Sequence, residues 1–275
     1  WAEGFAEPLE KYFECYDREY FNENCGLYVW IDDIMIGMDN DPATFGRPKS
    51  STANIFLNSF MVEELARMAE YLVDMFPDNG TIMTQCFGET IVGQMLRVAK
   101  ERGKHIRLFC PETRPYFQGA RLTATVCHDM GFDVTVITDN MPAFVMQKEH
   151  VDVFTSAADA ICLDGYVVNK VGTFQIAIVA KYMGIPYFVT GAPDKGHTDV
   201  GTVQIEMRDP EFVLQAMGVR TACEGVKGYY PSFDITPPHL VSGVVTDAGI
   251  FSPYDLHRYF ISGNAGEYSD KDLCV

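Results

Sequence analysis

Five short apolar segments alternate with helical segments through the middle of the chain, and this alternation constrains the fold more than any other feature. Their starts are 19 to 35 residues apart, which leaves room for a strand, a loop and a crossover helix. Buried parallel strands have near-continuous apolar sequences of this kind. We therefore predict an α/β fold with a doubly wound, mostly parallel, Rossmann-like sheet. The five segments are TIMTQC (81–86), HIRLFC (105–110), FDVTVIT (132–138), VDVFTSA (151–157) and PYFVTG (186–191).

Two of the intervening segments carry helix signals. Residues 89–103 place apolar side chains on one face and end at Gly103, and residues 170–184 end in the same way at Gly184. Glycine commonly follows the last turn of a helix. We expect these helices to connect neighbouring parallel strands.

The first 76 residues have a different pattern. Residues 58–76 have the pattern of an amphipathic helix, and residues 28–39 alternate enough to predict a hairpin strand. We therefore expect a smaller, largely helical N-terminal region (1–76) and a Rossmann-like α/β catalytic domain (77–275). Residues 194–250 are rich in Pro and Gly, and we predict loops without regular structure there that cover a site.

The charge balance argues against several classes of partner. The formal net charge is −17, which repels nucleic-acid phosphates and acidic membrane surfaces. We therefore expect no nucleic-acid and no membrane partner. The sequence has no apolar run as long as a bilayer span and no secretory signal pattern at its start, so we expect a cytoplasmic location. It begins at Trp1 rather than Met, which leaves room for a preceding segment.

Cysteine and histidine spacing gives no sign of a metal site. The eight cysteines form no CxxC pair, and several lie in apolar runs, which is typical of reduced, buried thiols. The six histidines lack HExxH or HxxxH spacing, and neither GxGxxG nor GxSxG occurs. We therefore predict no metal and no nicotinamide cofactor.

Ligands of open parallel sheets bind where the carboxyl ends of the strands meet the following loops. A thiol, several carboxylates and two cations follow the five predicted strands, so we expect them to converge on one edge of the sheet. They are Cys86, Glu112 to Arg114, Asp139, Asn140, Asp159, Asp194 and Lys195.

Two of these residues are candidates for catalysis. Cys86 precedes a helix that begins near Glu89, and the positive end of a helix dipole favours a reactive thiolate; the alternative is an inert, buried cysteine. Asp159 lies among small and apolar residues, where burial would raise its pKa and suit it to proton transfer. A helix cap or a structural ion pair is equally compatible with its local sequence. Asp139 competes for the acid role, although a D-N turn is also ordinary loop chemistry.

Several cations and amides are candidates for binding an anion or sugar hydroxyls. Arg114, Gln118 and Arg121 lie close together in one loop and first helical turn, where they would otherwise be surface residues. Asn169 and Lys170 open the predicted helix 170–184, where a lysine can meet a phosphate or remain solvated. Arg47 precedes a helix and can be either an anchor or a surface residue.

A series of motifs runs in order from about residue 46 to residue 254. They are RPKSSTANIF, TIMTQC, ETRPYFQGARLTA, VITDNM, AADAICLDGYVVNKVGTFQIAIVAKYMGIPYFV, EMRDP and PSFDITPPHLVSGVVTDAGIFSP. Together they resemble the methylthioribose-1-phosphate isomerase family. Relatives of that family include ribose-1,5-bisphosphate isomerase and the regulatory subunits of the exchange factor for translation initiation factor 2.

The resemblance implies roles for individual residues. The family's cysteine corresponds to Cys86 and its proton-donating aspartate to Asp159. Ala160 stands where the family's enzymes usually have Arg, and their RGAPAIG phosphate motif is not recognisable in residues 1–45. The family's substrate contacts correspond to Arg47, Gln118, Asn169 and Lys170.

The resemblance also implies an activity. It is the conversion of an aldose 1-phosphate into the 2-ketose 1-phosphate, with a substrate of the methylthioribose 1-phosphate or 5-deoxyribose 1-phosphate type. The resemblance implies no cofactor and a homodimer or higher homo-oligomer. It also implies a place in methionine salvage. The alternatives are a ribose-1,5-bisphosphate isomerase or a non-catalytic subunit that senses a sugar phosphate or nucleotide. The partner expected in each case is a small phosphorylated molecule.

Overall fold

The computed structural model describes residues 27–31, 34–38 and 64–261. The chain divides into two compact units, one of Trp1–Leu65 with Ser269–Val275 and one of Ala66–Tyr268. The division into functional regions at residues 76 and 77 stays a prediction.

The first unit contains a β-hairpin. Strands β1 (Leu27–Ile31) and β2 (Ile34–Met38) pair antiparallel, with Leu27 opposite Met38. The hairpin predicted for residues 28–39 is thus confirmed. Residues 64–74, most of which belong to the second unit, are helical (α1), as expected for the end of the amphipathic segment 58–76. The earlier residues of that segment lie outside the described part.

The second unit alternates strands and helices along the chain. Strand β3 (Thr81–Met83) is followed by α2 (Glu89–Glu101), β4 (Arg107–Pro111), a π-helical turn (Gly119–Thr123), α3 (Ala124–Asp129), β5 (Asp133–Ile137), α4 (Pro142–Lys148) and β6 (Val153–Ala157). Next come β7 (Ala160–Ile161), β8 (Val167–Lys170), α5 (Thr173–Met183) and β9 (Tyr187–Thr190). The remaining elements are 3₁₀ turns at Val200–Thr202, Pro210–Val213 and Pro238–Leu240, strands β10 (Gln215–Ala216), β11 (Val219–Arg220), β12 (Phe233–Thr236), β13 (Gly243–Thr246) and β14 (Gly249–Phe251), and helix α6 (His257–Ile261).

The main sheet has seven strands in the order β14-β13-β9-β6-β3-β4-β5. All of its pairs are parallel except β13 with β14. The chain moves outward from β3 to β5 on one side and from β6 to β13 on the other. The order therefore reverses between β3 and β6, and this switch point is where doubly wound sheets open a crevice for ligands. The predicted fold and all five predicted strands are confirmed.

Aromatic and aliphatic side chains of the central strands build the core. Phe154 of β6 stacks on Tyr187 of β9 with ring centroids 4.3 Å apart, and both rings are fully buried. Each such burial stabilises the fold by roughly 1.5–3 kcal/mol. The hydroxyl of Tyr187 is hydrogen-bonded to Oγ of Ser156 at 2.7 Å, which ties β9 to β6 beside the switch point.

A second, smaller sheet was missed by the sequence pattern. Strand β8 lies between β7 and β12 and pairs antiparallel with both. Asn169 and Lys170 therefore lie at the end of a strand and do not open a helix, because Gly172 turns the chain with φ of 106° before α5 begins at Thr173. The accessory sheet, as we call β7, β8 and β12, carries much of the candidate site.

Residues 194–250 were wrongly predicted to lack regular structure. Strand β12 belongs to the accessory sheet, and β13 extends the main sheet in parallel with β9. The prolines of this segment lie outside the strands, where a missing N–H does not interrupt pairing, whereas Gly243 begins β13. In the described range, no helix is long and apolar enough to cross a bilayer.

The expectation of buried cysteines holds in part. Cys110, Cys127 and Cys162 are buried free thiols, whereas Cys86 is half-buried and Cys223 is exposed. Cys223 lies in a turn-rich stretch outside the main sheet, so its burial was wrongly predicted.

Candidate active site

The turn that holds Cys86 lies at the carboxyl end of β3, on one side of the switch point. Cys86 has φ of 59°, a left-handed conformation that costs a non-glycine residue about 1–3 kcal/mol. Its backbone N–H donates to Oγ1 of Thr113 at 3.2 Å, and its carbonyl accepts from Oγ1 of Thr123 at 2.5 Å. These two bonds hold the turn, and with it the thiol, ahead of α2.

Close contacts tie the same turn to two other elements. A Cβ on Gly88 would lie 2.9 Å from Cβ of Ala157, so glycine allows the turn to approach the end of β6. Gln85 Nε2 donates to the carbonyl of Val171 at 3.3 Å. A Cβ on Gly172 would lie 3.1 Å from the same nitrogen. The Cys86 turn is thus fixed against both β6 and the turn after β8.

A narrow pocket of about 20 Å³ opens beside this turn. Its walls come from the ends of β3, β6 and β9 and from α1 and α2, and they include Cys86, Gly88, Ala157 and Thr190. Asp159 is not part of this lining. Cys86 itself is half-buried.

Asp159 follows β6 on the other side of the switch point. Its N–H donates to the carbonyl of Val168 at 2.9 Å, which ties it to β8. Asp159 is exposed to solvent by surface area, although many protein atoms surround its carboxyl group. This burial raises the pKa of Asp159, against the opposing effects of Lys170 and Arg208. Such a carboxyl group retains a proton at higher pH than an ordinary aspartate does.

Lys170 and Asn169 end β8 inside the protein. They are 6% and 5% exposed. Asn169 Nδ2 donates to Oγ1 of Thr173 at 3.0 Å, which orients the amide toward the first turn of α5. The ammonium of Lys170 lies 4.8 Å from the ring centroid of Phe233 on β12, a favourable cation–π distance.

The charge of Lys170 links the two candidate catalytic groups. Burial lowers the pKa of Lys170, whereas the Cys86 thiolate, and more weakly the Asp159 carboxylate, raise it. Lys170 therefore lies within electrostatic reach of both groups, one from the main sheet and one beside the accessory sheet. A cysteine thiol, a carboxyl group and a buried lysine side chain together offer groups that can move protons and bind an anion.

Glu206 and Arg208 are site residues that the sequence reasoning did not select. Arg208 Nε donates to Glu206 Oε2 at 3.0 Å, and Nη2 lies 2.9 Å from the same oxygen. Arg208 acts electrostatically on Asp159 and on Lys170. The signal that could have found it is the EMRDP string, which carried part of the resemblance but received no role.

The other predicted residues have varied surroundings. The Asp139 carboxylate accepts the backbone N–H groups of Thr113 and Arg114 at 2.8 and 2.7 Å, which is a loop-holding arrangement. Arg114 Nη2 donates to the carbonyl of Gln215 at 2.7 Å, so its guanidinium contacts strand β10.

Gln118 and Arg121 lie in the loop and π-helical turn that follow β4. The side-chain oxygen of Gln118 is buried without a hydrogen-bond partner in residues 64–261, so it can accept from a ligand hydroxyl. The substrate roles of both residues stay predictions, and Arg47 lies outside the described residues. Over the part of the chain described, no group of three His, Cys, Asp or Glu side chains is arranged to hold a metal ion.

Comparison with known proteins identifies a family and two enzyme names. The model of the Initiation factor 2 subunit family matches residues 45–253. A methylthioribose-1-phosphate isomerase of Thermosynechococcus vestitus is 41% identical over 182 residues, which are 65% of this chain and 51% of that one. A 5-deoxyribose 1-phosphate isomerase of Clostridium botulinum is 37% identical over 70% of this chain and 58% of its own length.

Solved structures resemble the fold as well. The 5-methylthioribose 1-phosphate isomerase of Pyrococcus horikoshii has a TM-score of 0.68 and 34% identity, with 76% of this chain and 62% of that chain covered. The delta subunit of translation initiation factor eIF-2B from A. fulgidus has a TM-score of 0.67 and 33% identity, over 73% and 63% of the two chains. The chain thus spans roughly half to two thirds of the length of these relatives.

Proposed function

The chain belongs to the Initiation factor 2 subunit family, and on that premise we propose that it is an isomerase that converts an aldose 1-phosphate into the 2-ketose 1-phosphate. The substrate is of the methylthioribose 1-phosphate or 5-deoxyribose 1-phosphate type, as the names of the two isomerase relatives suggest. Methylthioribose 1-phosphate would place the protein in methionine salvage.

One observation carries the proposal. A half-buried thiol and an aspartic acid with raised pKa flank the switch point, and the buried ammonium of Lys170 interacts with both. An aldose–ketose isomerase needs an acid to open the sugar ring, a group that handles the hydrogen at C2, and a cation for the phosphate. The three residues supply one group of each kind.

In the proposed reaction, Asp159 in its protonated form gives its proton to the ring oxygen as the C1–O bond breaks. The hydrogen of C2 then moves to C1, assisted by the Cys86 thiolate. The O2 hydroxyl loses its proton to the Asp159 carboxylate as the C2 ketone forms. Every proton is returned, no electrons enter or leave, and the reaction needs no cofactor.

Binding groups surround this chemistry in the proposal. Lys170 holds the phosphate, and Asn169 and Gln118 hold hydroxyl groups, with Gln118 using its unpartnered oxygen. Arg47, Arg114 and Arg121 are further candidates for the phosphate. A cation that acts from a largely dry environment stabilises an anion more strongly than one in water.

Deuterium at C2 would distinguish the two routes for the hydrogen. Transfer as a hydride keeps the label at C1 of the ketose, whereas abstraction by the Cys86 thiolate exchanges part of it with water. Both routes use Asp159 in the same role.

A non-catalytic sensing subunit is the second candidate, because the eIF-2B delta subunit resembles this fold as closely as the isomerase does. A ribose-1,5-bisphosphate isomerase is the third. Turnover of a ribose 1-phosphate derivative with no charge at C5 supports the first candidate, and turnover of the bisphosphate alone supports the third. Tight binding of a sugar phosphate or nucleotide without turnover supports the second.

We further propose a cytoplasmic homodimer or higher homo-oligomer. Light scattering of the purified chain measures its mass directly, against 30.8 kDa for one copy. A monomer at micromolar concentration would contradict this part of the proposal without affecting the proposed chemistry.

A further inference from the structure

Arg208 lies on an extended segment that is hydrogen-bonded to residues 230–232, just before strand β12 of the accessory sheet. Met207 forms an antiparallel bridge with Pro231. The backbone N–H of Arg208 donates to the carbonyl of Tyr230, and that of Ser232 to the carbonyl of Glu206, both at 2.9 Å. Side chains two residues apart on an extended segment point to the same face. Glu206 and Arg208 therefore lie side by side.

The guanidinium of Arg208 is held from several directions. Glu206 Oε2 accepts from its Nε at 3.0 Å and lies 2.9 Å from its Nη2. Its Cζ lies 5.7 Å from the ring centroid of Tyr116 and 5.7 Å from that of Phe233. The side chain is 18% exposed. A planar cation with a carboxylate partner and two aromatic contacts has little rotational freedom.

Phe233 also contacts the ammonium of Lys170. Strands β12 and β8 pair so that Phe233 stands opposite Lys170, and the Lys170 ammonium lies 4.8 Å from the centroid of the ring that Arg208 contacts. Phe233 thereby contacts both cations. Asp159 is tied to the same sheet through Val168 of β8.

We propose that Arg208 is a positioning residue of the isomerase site: with Glu206, it sets the electrostatic field in which Asp159 holds its proton and Lys170 holds its charge. Arg208 does not touch the reacting atoms. Its charge and its rigid placement act through Asp159 and Lys170, the two groups that contact the substrate in the proposed function.

The charges around the two target groups support this role. Lys170 and Arg208 both favour the carboxylate form of Asp159, against its burial. Besides its burial, Lys170 experiences Cys86, Arg208, Asp159 and Glu206. Arg208 thus acts on both groups in one direction, toward loss of the proton, and Glu206 opposes that effect at Lys170.

A carboxyl titration tests this inference without requiring turnover. The protein is labelled with ¹³C at the side-chain carboxyl of aspartate, and the signal of Asp159 is assigned by its absence in Asp159→Asn. In Arg208→Gln we expect the midpoint of Asp159 to move to higher pH, because a positive charge that favoured the carboxylate is gone. Arg208→Lys keeps the charge, so its midpoint should return toward the wild-type value.

Arg220 offers a matched control. It pairs with Glu211 at 2.6 Å on the protein surface, within the same stretch of chain but outside the candidate site. Arg220→Gln removes one positive charge and one arginine–glutamate pair, and we expect no movement of the Asp159 midpoint. Equal shifts in Arg208→Gln and Arg220→Gln would mean that only the net charge matters, and the inference would be wrong.

A second variant separates an electrostatic role from a merely structural one and covers the case in which Arg208→Gln does not fold. Glu206→Gln removes the negative partner and leaves the guanidinium charge, so the Asp159 midpoint should move to lower pH. A structural role would produce no shift, or a shift in the same direction as Arg208→Gln. An unchanged Asp159 midpoint in a folded Glu206→Gln or Arg208→Gln variant overturns the inference.

The inference rests on the proposed isomerase function, because a positioning residue presupposes a reaction. Different experiments would nevertheless contradict the function and the role of Arg208. If the wild type has no turnover, the function is wrong while the titration still reports on Arg208. With turnover, Arg208→Gln should also lower kcat by about 10- to 100-fold, as misplaced catalytic groups do. In the pH profile of kcat/KM, the part of the curve that depends on Asp159 is identified by its loss in Asp159→Asn. In Arg208→Gln this part of the curve should move to higher pH, in the same direction as the NMR midpoint of Asp159.

Discussion

Cys86, Thr113 and Phe117 all have positive φ, although none of them is glycine. They lie in the two loops that follow β3 and β4, and Thr113 accepts the backbone N–H of Cys86. Left-handed backbone in a residue with a Cβ persists only where surrounding contacts enforce it, and such residues concentrate at functional sites. At the scale of single residues, the loops beside Cys86 therefore hold it in a conformation that an isolated chain would rarely adopt.

Gly119 provides a test of this packing. A Cβ at this position would lie 1.8 Å from the carbonyl oxygen of Pro111 and 2.9 Å from Oγ1 of Thr113. Backbone cannot move away as a flexible side chain can, so Gly119→Ala should destabilise the fold by about 3 kcal/mol. Urea denaturation followed by circular dichroism measures the change.

Gly93 is the matched control for that substitution. It lies inside α2, and a Cβ there would meet nothing within 4 Å. Gly93→Ala should stabilise the protein by about 0.5–1 kcal/mol, because alanine loses less backbone freedom in a helix. If Gly119→Ala unfolds at the same urea concentration as the wild type, the described approach of the loop to β4 is wrong.

At the scale of elements, β12 joins two parts of the site. Phe233 stands opposite Lys170, and the next residue, Asp234, accepts the backbone N–H of Gly172 at 2.7 Å and of Phe174 at 3.1 Å. Asp234 thus caps the start of α5 from a strand about 60 residues later in the chain.

The cap predicts a particular pH dependence of stability. Burial raises the pKa of Asp234 from 3.8 to about 6, although the two N–H groups favour the carboxylate. The folded protein therefore binds the proton more tightly than the unfolded chain. The contribution of Asp234 to stability is fully present below 3.8 and is lost as pH rises to about 6. Asp234→Asn lacks this titration, so its free energy of unfolding relative to the wild type should rise across that window.

Denaturation of both proteins at about pH 4 and about pH 7 measures this difference. Asp199→Asn is the control, because Asp199 accepts the N–H of Gly201 at 2.8 Å in an exposed 3₁₀ turn. A constant difference between Asp234→Asn and the wild type at both pH values would contradict the described burial of Asp234.

The main sheet could be predicted from the sequence, whereas the accessory sheet could not, and the reason is physical. Strands β3, β4, β6 and β9 are largely buried, so their sequences are continuous apolar runs. The edge strand β5 is largely exposed, but its β-branched residues still indicate a strand. Strands β7 and β8 have two and four residues, too few for a recognisable alternation. Their pairing with β12 is long-range, and no local pattern records it.

The same limit explains which site residues could be predicted. Cys86 and Asp159 follow strong strands, so the strand-end rule selected them. Lys170 was also selected, but it was predicted to begin a helix, whereas it ends strand β8. The sequence pattern did not reveal the turn at Gly172 that separates the strand from the helix. Arg208 was missed because its effect depends on Phe233 and Asp159, which are distant in sequence.

At the scale of the whole molecule, an acidic protein places two cations near the accessory sheet, where we propose that Lys170 binds a phosphate. The net charge is −17, yet Lys170 and Arg208 both act on Asp159 at the accessory sheet. An acidic exterior disfavours nucleic acids and other large polyanions. A few converging cations in a site are compatible with a small phosphorylated molecule.

The most direct test of the central claim is a ketose-product assay. The panel is methylthioribose 1-phosphate, 5-deoxyribose 1-phosphate, ribose 1-phosphate and ribose 1,5-bisphosphate, with Cys86→Ser and Asp159→Asn beside the wild type. We expect turnover of a member with a neutral group at C5 and a loss of at least about 100-fold in kcat in both variants. A folded wild type with no turnover on the whole panel, or variants as active as the wild type, would contradict the account.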